Sequence, residues 1–75
     1  MIMAEYEVYY RIWGDYGNKG FRVDVKAHSR KHAKGKVERG EVPLVKMTKE
    51  EKESLEVYAI VGFDSYVKEY VMYYY

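Results

Sequence analysis

The chain has 75 residues, 48% of them hydrophobic and 33% charged, with a formal net charge of +1. That is room for one small globular domain, residues 1–75, and not the composition of a disordered chain. There is no cysteine, which excludes a disulfide scaffold, a thiolate metal site and cysteine nucleophile chemistry. No apolar run approaches the roughly 20 residues of a membrane span, and the N-terminus has neither the basic stretch nor the apolar core of a signal peptide. The expected location is the cytoplasm, without a membrane partner.

Residues 5–13 alternate. Tyr6, Val8, Tyr10 and Ile12 fall on one side, and Glu5, Glu7, Tyr9 and Arg11 on the other, the period of a half-buried strand. Gly14 to Gly20 contains three glycines and an asparagine and predicts a hairpin loop longer than two residues. Residues 21–27 alternate again, with Phe21, Val23, Val25 and Ala27 opposite Arg22, Asp24 and Lys26. The two strands form a β-hairpin.

Ser29 then caps a helix, because its hydroxyl can accept from the free N–H groups of the first turn. Ala33 and Val37, four residues apart, form a thin apolar stripe. Gly35 weakens this helix by about 1 kcal/mol relative to alanine, and Gly40 ends it. Residues 41–47 read as a linker whose Val42, Leu44, Val45 and Met47 close one end of the core, with Pro43 holding Val42 extended. Thr48 and Glu51 have the spacing of a capping box, which predicts a short helix over 49–54. A third strand follows over 55–63 with Leu55, Val57, Ala59, Val61 and Phe63 on one face, and then a turn at Asp64-Ser65. The last ten residues admit two readings. Aromatic and β-branched content favours a fourth strand, while Val67, Tyr70, Val71 and Tyr74 also fit a helical repeat. The order β-β-α-(short α)-β-β predicts an α+β domain, an antiparallel sheet with one helix packed on one face.

Ten Tyr and ten Val, nine Lys and nine Glu, no Gln and one Asn follow the bias of hyperthermophile proteins, so a thermophilic archaeal source is expected. Only 17 residues are Leu, Ile, Val or Phe. Tyrosine rings must therefore fill part of the core, and a domain with so small a core gains from a partner.

Two surfaces are candidates for function. The first is the Tyr-rich tail, where Tyr70, Val71, Tyr74 and Tyr75 offer large contact area at low entropic cost, as interface residues do. The last eight residues, Lys68-Glu-Tyr-Val-Met-Tyr-Tyr-Tyr75, resemble the peptide by which proteins dock on the PCNA sliding clamp. Val71, Tyr74 and Tyr75 match its aliphatic and paired aromatic positions, and Lys68 stands where the motif has Gln. The resemblance implies a clamp binder or inhibitor. The apolar linker at Leu44, Val45 and Met47 is a second contact surface for a protein partner. Tyr9, Tyr58 and Trp13, on outward positions, would suit a homodimer.

The second surface is basic. Residues 26–39 carry Lys26, Arg30, Lys31, Lys34, Lys36 and Arg39 against one acid, Glu38, a local charge of +5 in a nearly neutral chain. Arg30, Lys31 and Lys34 share a helical face that can meet a phosphate backbone, with Tyr9, Trp13 and Tyr16 available to stack bases. The ordinary reading is a solvated helix face. His28 and His32 are spaced to share a metal, but a zinc site needs further ligands, so no metal or cofactor is expected. No phosphate loop, nucleophile–base pair or carboxylate pair can be placed. The expected role is non-enzymatic: a small binding or regulatory protein acting through a protein partner, with nucleic-acid binding by the basic helix as the alternative.

Overall fold

A computed structural model describes residues 3–14 and 17–75. The elements are β1 (Ala4–Gly14), β2 (Gly17–Ala27), α1 (Arg30–Glu38), α2 (Lys49–Glu53), β3 (Glu56–Asp64) and β4 (Glu69–Tyr74). The strands make one antiparallel sheet in the order β2-β1-β3-β4. α1 lies against β1, β2 and β3 on one face. This is the α+β architecture that the alternation predicts.

The hairpin is tighter than its glycines imply. Pairing runs from Ala4↔Ala27 to Gly14↔Gly17, so residues 17–20, expected in a loop, belong to β2; Asp15 and Tyr16 lie outside the described residues. Gly17 takes φ +94°, the left-handed backbone a tight connection requires and a side chain resists. Residues 17–20 are strand because each paired backbone group there gains a partner.

Both helices begin and end as their sequences direct. Ser29 Oγ accepts the His32 N–H at 3.1 Å. At the other end of α1, the Gly40 N–H donates to Val37 O and the Glu41 N–H to Lys36 O, with Gly40 at φ +69°. This bond pair is the Schellman termination that glycine permits. Thr48 and Glu51 exchange the two bonds of the capping box, at 3.1 and 2.9 Å. Ser54 Oγ accepts the Trp13 N–H at 2.9 Å and ties the end of α2 to β1.

The core lies between the sheet and α1. Val8, Tyr10, Ile12, Val25, Val57 and Ile60 meet Ala33 and Val37. Val42, Leu44 and Met47 pack against the edge of this cluster, so the linker does close one end. Tyr10 is buried, and its hydroxyl accepts the Val45 N–H at 3.1 Å. A tyrosine thus serves as core with its polar end satisfied.

β3 corrects the expected face assignment. Tyr10 opposes Val57, but Tyr9 opposes Ala59, so Tyr58 is an extra residue, a β-bulge. Opposed residues share a face. Val57 and Ile60 therefore face α1 beside Tyr10 and Val8. Ala59, Val61 and Phe63, expected on Val57's face, turn to the opposite side. A period of two cannot be carried across an inserted residue.

The tail is a strand. β4 pairs with β3 from Asp64↔Glu69 to Ala59↔Tyr74. Without it, the backbone groups along one side of β3, whose Ile60 and Gly62 are buried, would lack partners.

Candidate functional site

The face opposite α1 divides into two halves. Over β2 and β1 it is charged: Arg22, Asp24 and Lys26 stand beside Glu5, Glu7 and Arg11. Arg11 bonds Glu56 across the sheet at 2.9 Å, and that hydrogen bond holds the Glu56 carboxyl below its ordinary range. Arg22 lies 3.6 Å from Glu7. Over β3 and β4 the face is apolar and open. Register places Val61, Phe63, Tyr70, Met72 and Tyr74 together here. Phe63 is 55% exposed, Tyr70 73% and Tyr74 75%. Phe63 and Tyr70 meet edge to face, ring centres 5.5 Å apart. Where the halves meet, Glu5, Glu7, Asp24, Val61 and Tyr70 line a shallow concavity. Exposed aromatics gathered on one side of a sheet, rimmed by charge, have the composition of an interaction surface.

The tail residues singled out from sequence divide between two faces. Tyr70 and Tyr74 point to the open side. Val71, Tyr73 and Tyr75 point to the helix side, since side chains alternate along a strand. The Arg30 guanidinium lies 3.4 Å from the Tyr73 ring centre, and Lys34 Nζ lies 5.5 Å from that of Tyr75. Both are cation–π contacts. Val71, Tyr74 and Tyr75, the positions resembling a clamp-docking plug, do not converge while β4 is paired. Phe63 and Met72 join the open face without having been singled out. For Phe63 the missing signal is the bulge.

Asp64 anchors the turn into β4. Its Oδ1 accepts the N–H groups of Tyr66 and Val67 at 2.8 and 3.3 Å, and its Oδ2 accepts the Tyr73 hydroxyl at 2.9 Å. The Tyr73 bond, then these backbone bonds, hold the Asp64 carboxyl below its ordinary range. The same hydroxyl bond raises Tyr73.

The basic cluster is drawn partly into the fold. Lys34 pairs with Glu38 at 2.9 Å, and Lys36 Nζ donates to Lys26 O at 2.8 Å. With Arg30 on Tyr73 and Arg39 paired with Glu41, four of the six cations have internal partners, while Lys26 and Lys31 are exposed side chains. Tyr9 is half-buried against Tyr58, and Trp13 is exposed at the far end of β1. The two do not border α1 as a stacking platform, and Tyr16 lies outside the described residues. His28 and His32 stack with ring centres 5.3 Å apart, and His32 Nδ1 accepts the His28 N–H at 3.1 Å. One of the nitrogens a metal would need is therefore occupied. Among the described residues no three His, Asp or Glu side chains gather as a metal site. Nor is any helix of these residues long and apolar enough to cross a membrane. Of the linker surface, Leu44 and Met47 belong to the core edge and Val45 is exposed.

Comparison of the chain with protein-family models, with curated proteins and with solved structures gives no significant match.

Proposed function

We propose that this is a small, non-enzymatic binding or regulatory protein of the cytoplasm whose protein partner docks on the open face of β3 and β4. The observation that carries the reading is the cluster Phe63, Tyr70, Met72 and Tyr74, exposed side by side on a rigid sheet. Tyrosine and phenylalanine lose little side-chain entropy on docking and contribute large area, so such clusters make binding hot spots. Glu5, Glu7 and Asp24 along one margin, interleaved with Arg22 and Lys26, favour a partner with an apolar centre and a flank of mixed charge. The tail's resemblance implies the sliding clamp as a specific partner. In that mode β4 would have to leave β3, because Val71 and Tyr74 point to opposite faces. We place nucleic-acid binding second, since Arg30, Lys34 and Lys36 are spent on internal contacts.

The test is retention of partners from native lysate with and without nuclease, comparing the natural chain with Phe63→Lys/Tyr70→Lys. The reading predicts a stoichiometric protein that survives nuclease and high salt and is lost on the variant, whose circular dichroism is unchanged. Retention of nucleic acid alone, released by salt and by neutralising Arg30, Lys31 and Lys34, would move the function to α1.

A further inference from the structure

The second feature of β4 is its edge. β4 is an outer strand of the sheet, and its backbone orientation follows from one bond. The Tyr75 N–H donates to Tyr58 O at 2.9 Å, so the backbone groups of Tyr75, Tyr73 and Val71 point toward β3. By alternation, those of Tyr70, Met72 and Tyr74 point outward, away from the sheet. An edge of this kind is a template for another strand unless it is guarded. The opposite edge, β2, is guarded by Lys19, Arg22, Asp24 and Lys26 and by its glycines. β4 between Tyr70 and Tyr74 has no charge, no proline and no bulge.

We propose that the β4 edge pairs with the β4 edge of a second copy of this chain, antiparallel, about a two-fold axis at Met72. The segment is self-complementary in that register. Tyr70 stands opposite the partner's Tyr74, Val71 opposite the partner's Tyr73, and Met72 opposite the partner's Met72. Tyr70, Met72 and Tyr74 each exchange both backbone bonds with the residue opposite. On the open face the seam joins tyrosine to tyrosine at both ends, with methionine between, pairs that stabilise a sheet. On the helix side, Glu69 comes opposite the partner's Tyr75. In each subunit Lys34 Nζ lies over that ring, so a carboxylate meets an ammonium there and its mirror image repeats the contact. The backbone of α1 packs over β1, β2 and β3 and reaches β4 and Tyr75 only through Arg30 on Tyr73 and Lys34 on Tyr75, which leaves the outward backbone groups of Tyr70, Met72 and Tyr74 accessible. The dimer carries a continuous eight-strand sheet, and the two open faces merge into one aromatic platform. It uses the backbone edge of β4, whereas the partner proposed above uses the open face; Tyr70, Met72 and Tyr74 take part in both, and Phe63 on β3, which belongs to the face alone, tells the two apart.

The chain has no cysteine, which makes a single thiol a specific reporter. In the proposed register the two residues at position 72 form a hydrogen-bonded pair, about 5.5 Å between Cα atoms, within disulfide reach. The experiment measures mass by light scattering at 10–200 µM (roughly the range that resolves micromolar association) and follows mild oxidation of Met72→Cys and Phe63→Cys. The expected result is a dimer for the natural chain, near-complete cross-linking of Met72→Cys, and at least tenfold slower cross-linking of Phe63→Cys. Met72→Lys sets like charges opposite each other and is expected to be a folded monomer, while Phe63→Lys, which strips the face but spares the edge, stays dimeric. A monomer throughout the range overturns the proposal. So does a dimer in which Met72→Cys fails to cross-link faster than Phe63→Cys or Met72→Lys remains dimeric.

Discussion

At the turn into β4, Asp64 is the residue on which local order depends. Its carboxylate takes two backbone N–H groups and the Tyr73 hydroxyl, and all three bonds need the charged form at full strength. Because its pKa is lowered in the folded chain, its contribution is present above the unfolded carboxylate value and is lost as pH falls through the folded one. The thermal midpoint is therefore expected to drop on acidification below about pH 4, and Asp64→Asn, which keeps a carbonyl acceptor, is expected to flatten part of that drop. Parallel acid limbs for the two chains would show that the Tyr73 bond does not form. Tyr73 works in the opposite direction: its raised pKa stabilises below about pH 10, and that contribution is lost as pH rises further. Gly62 is the other sensitive position. A Cβ there would stand 2.7 Å from two atoms of the Tyr6 ring, which lies across the glycine and packs on the core. Gly62→Ala must displace that ring, and urea unfolding is expected to show a loss of about 1–3 kcal/mol, the range for overpacking.

Among the elements, α1 shows a local choice that does not serve stability. Gly35 has ordinary helical φ, and a Cβ there meets only the Arg39 guanidinium, at 2.7 Å. That group is the far end of a flexible chain whose present partner is Glu41. It can swing aside, so Gly35→Ala is expected to stabilise the domain by about 0.5–1 kcal/mol, read as a higher thermal midpoint. No gain would mean that the Arg39–Glu41 pair offsets the helix propensity. In β3, the bulge at Tyr58 decides more than any propensity. It sends Val57 and Ile60 inward, and it sends Ala59, Val61 and Phe63 to the open face. The face of exposed aromatics exists because one residue is inserted.

Over the whole molecule, the core is thin: one helix contributes Ala33 and Val37, and Tyr10 fills space that aliphatic residues fill in larger domains. Ile60 sits at its centre, fully buried. Ile60→Ala is expected to cost about 2–5 kcal/mol. A domain of this size has only about 3–5 kcal/mol to lose, so far-ultraviolet circular dichroism at 25 °C is expected to report a largely unfolded monomer. A variant that stays folded with an unchanged midpoint would show that stability comes from elsewhere, above all from association. The open face is expected to have the converse signature: Phe63 and Tyr70 are mostly exposed, so Phe63→Lys/Tyr70→Lys is expected to keep the circular dichroism of the natural chain.

What the sequence determined by itself is what depends on near neighbours: the alternation of β1 and β2, Ser29 and Gly40 at the ends of α1, the Thr48–Glu51 box, and the antiparallel sheet with one helix. Capping, turns and period need only residues within a few positions of each other. Three things waited for the tertiary structure. The tail had both helical and strand spacing, and the open side of β3 decided for strand. The faces of β3 depended on a bulge visible only in its pairing with β1. The cations of α1 read as a solvated face or, as the alternative, a surface for phosphate, and nothing in the helix shows that Arg30 lies over Tyr73 and Lys34 over Tyr75. Each turned on a contact between segments far apart in the chain, and such contacts leave no periodic trace in either segment alone.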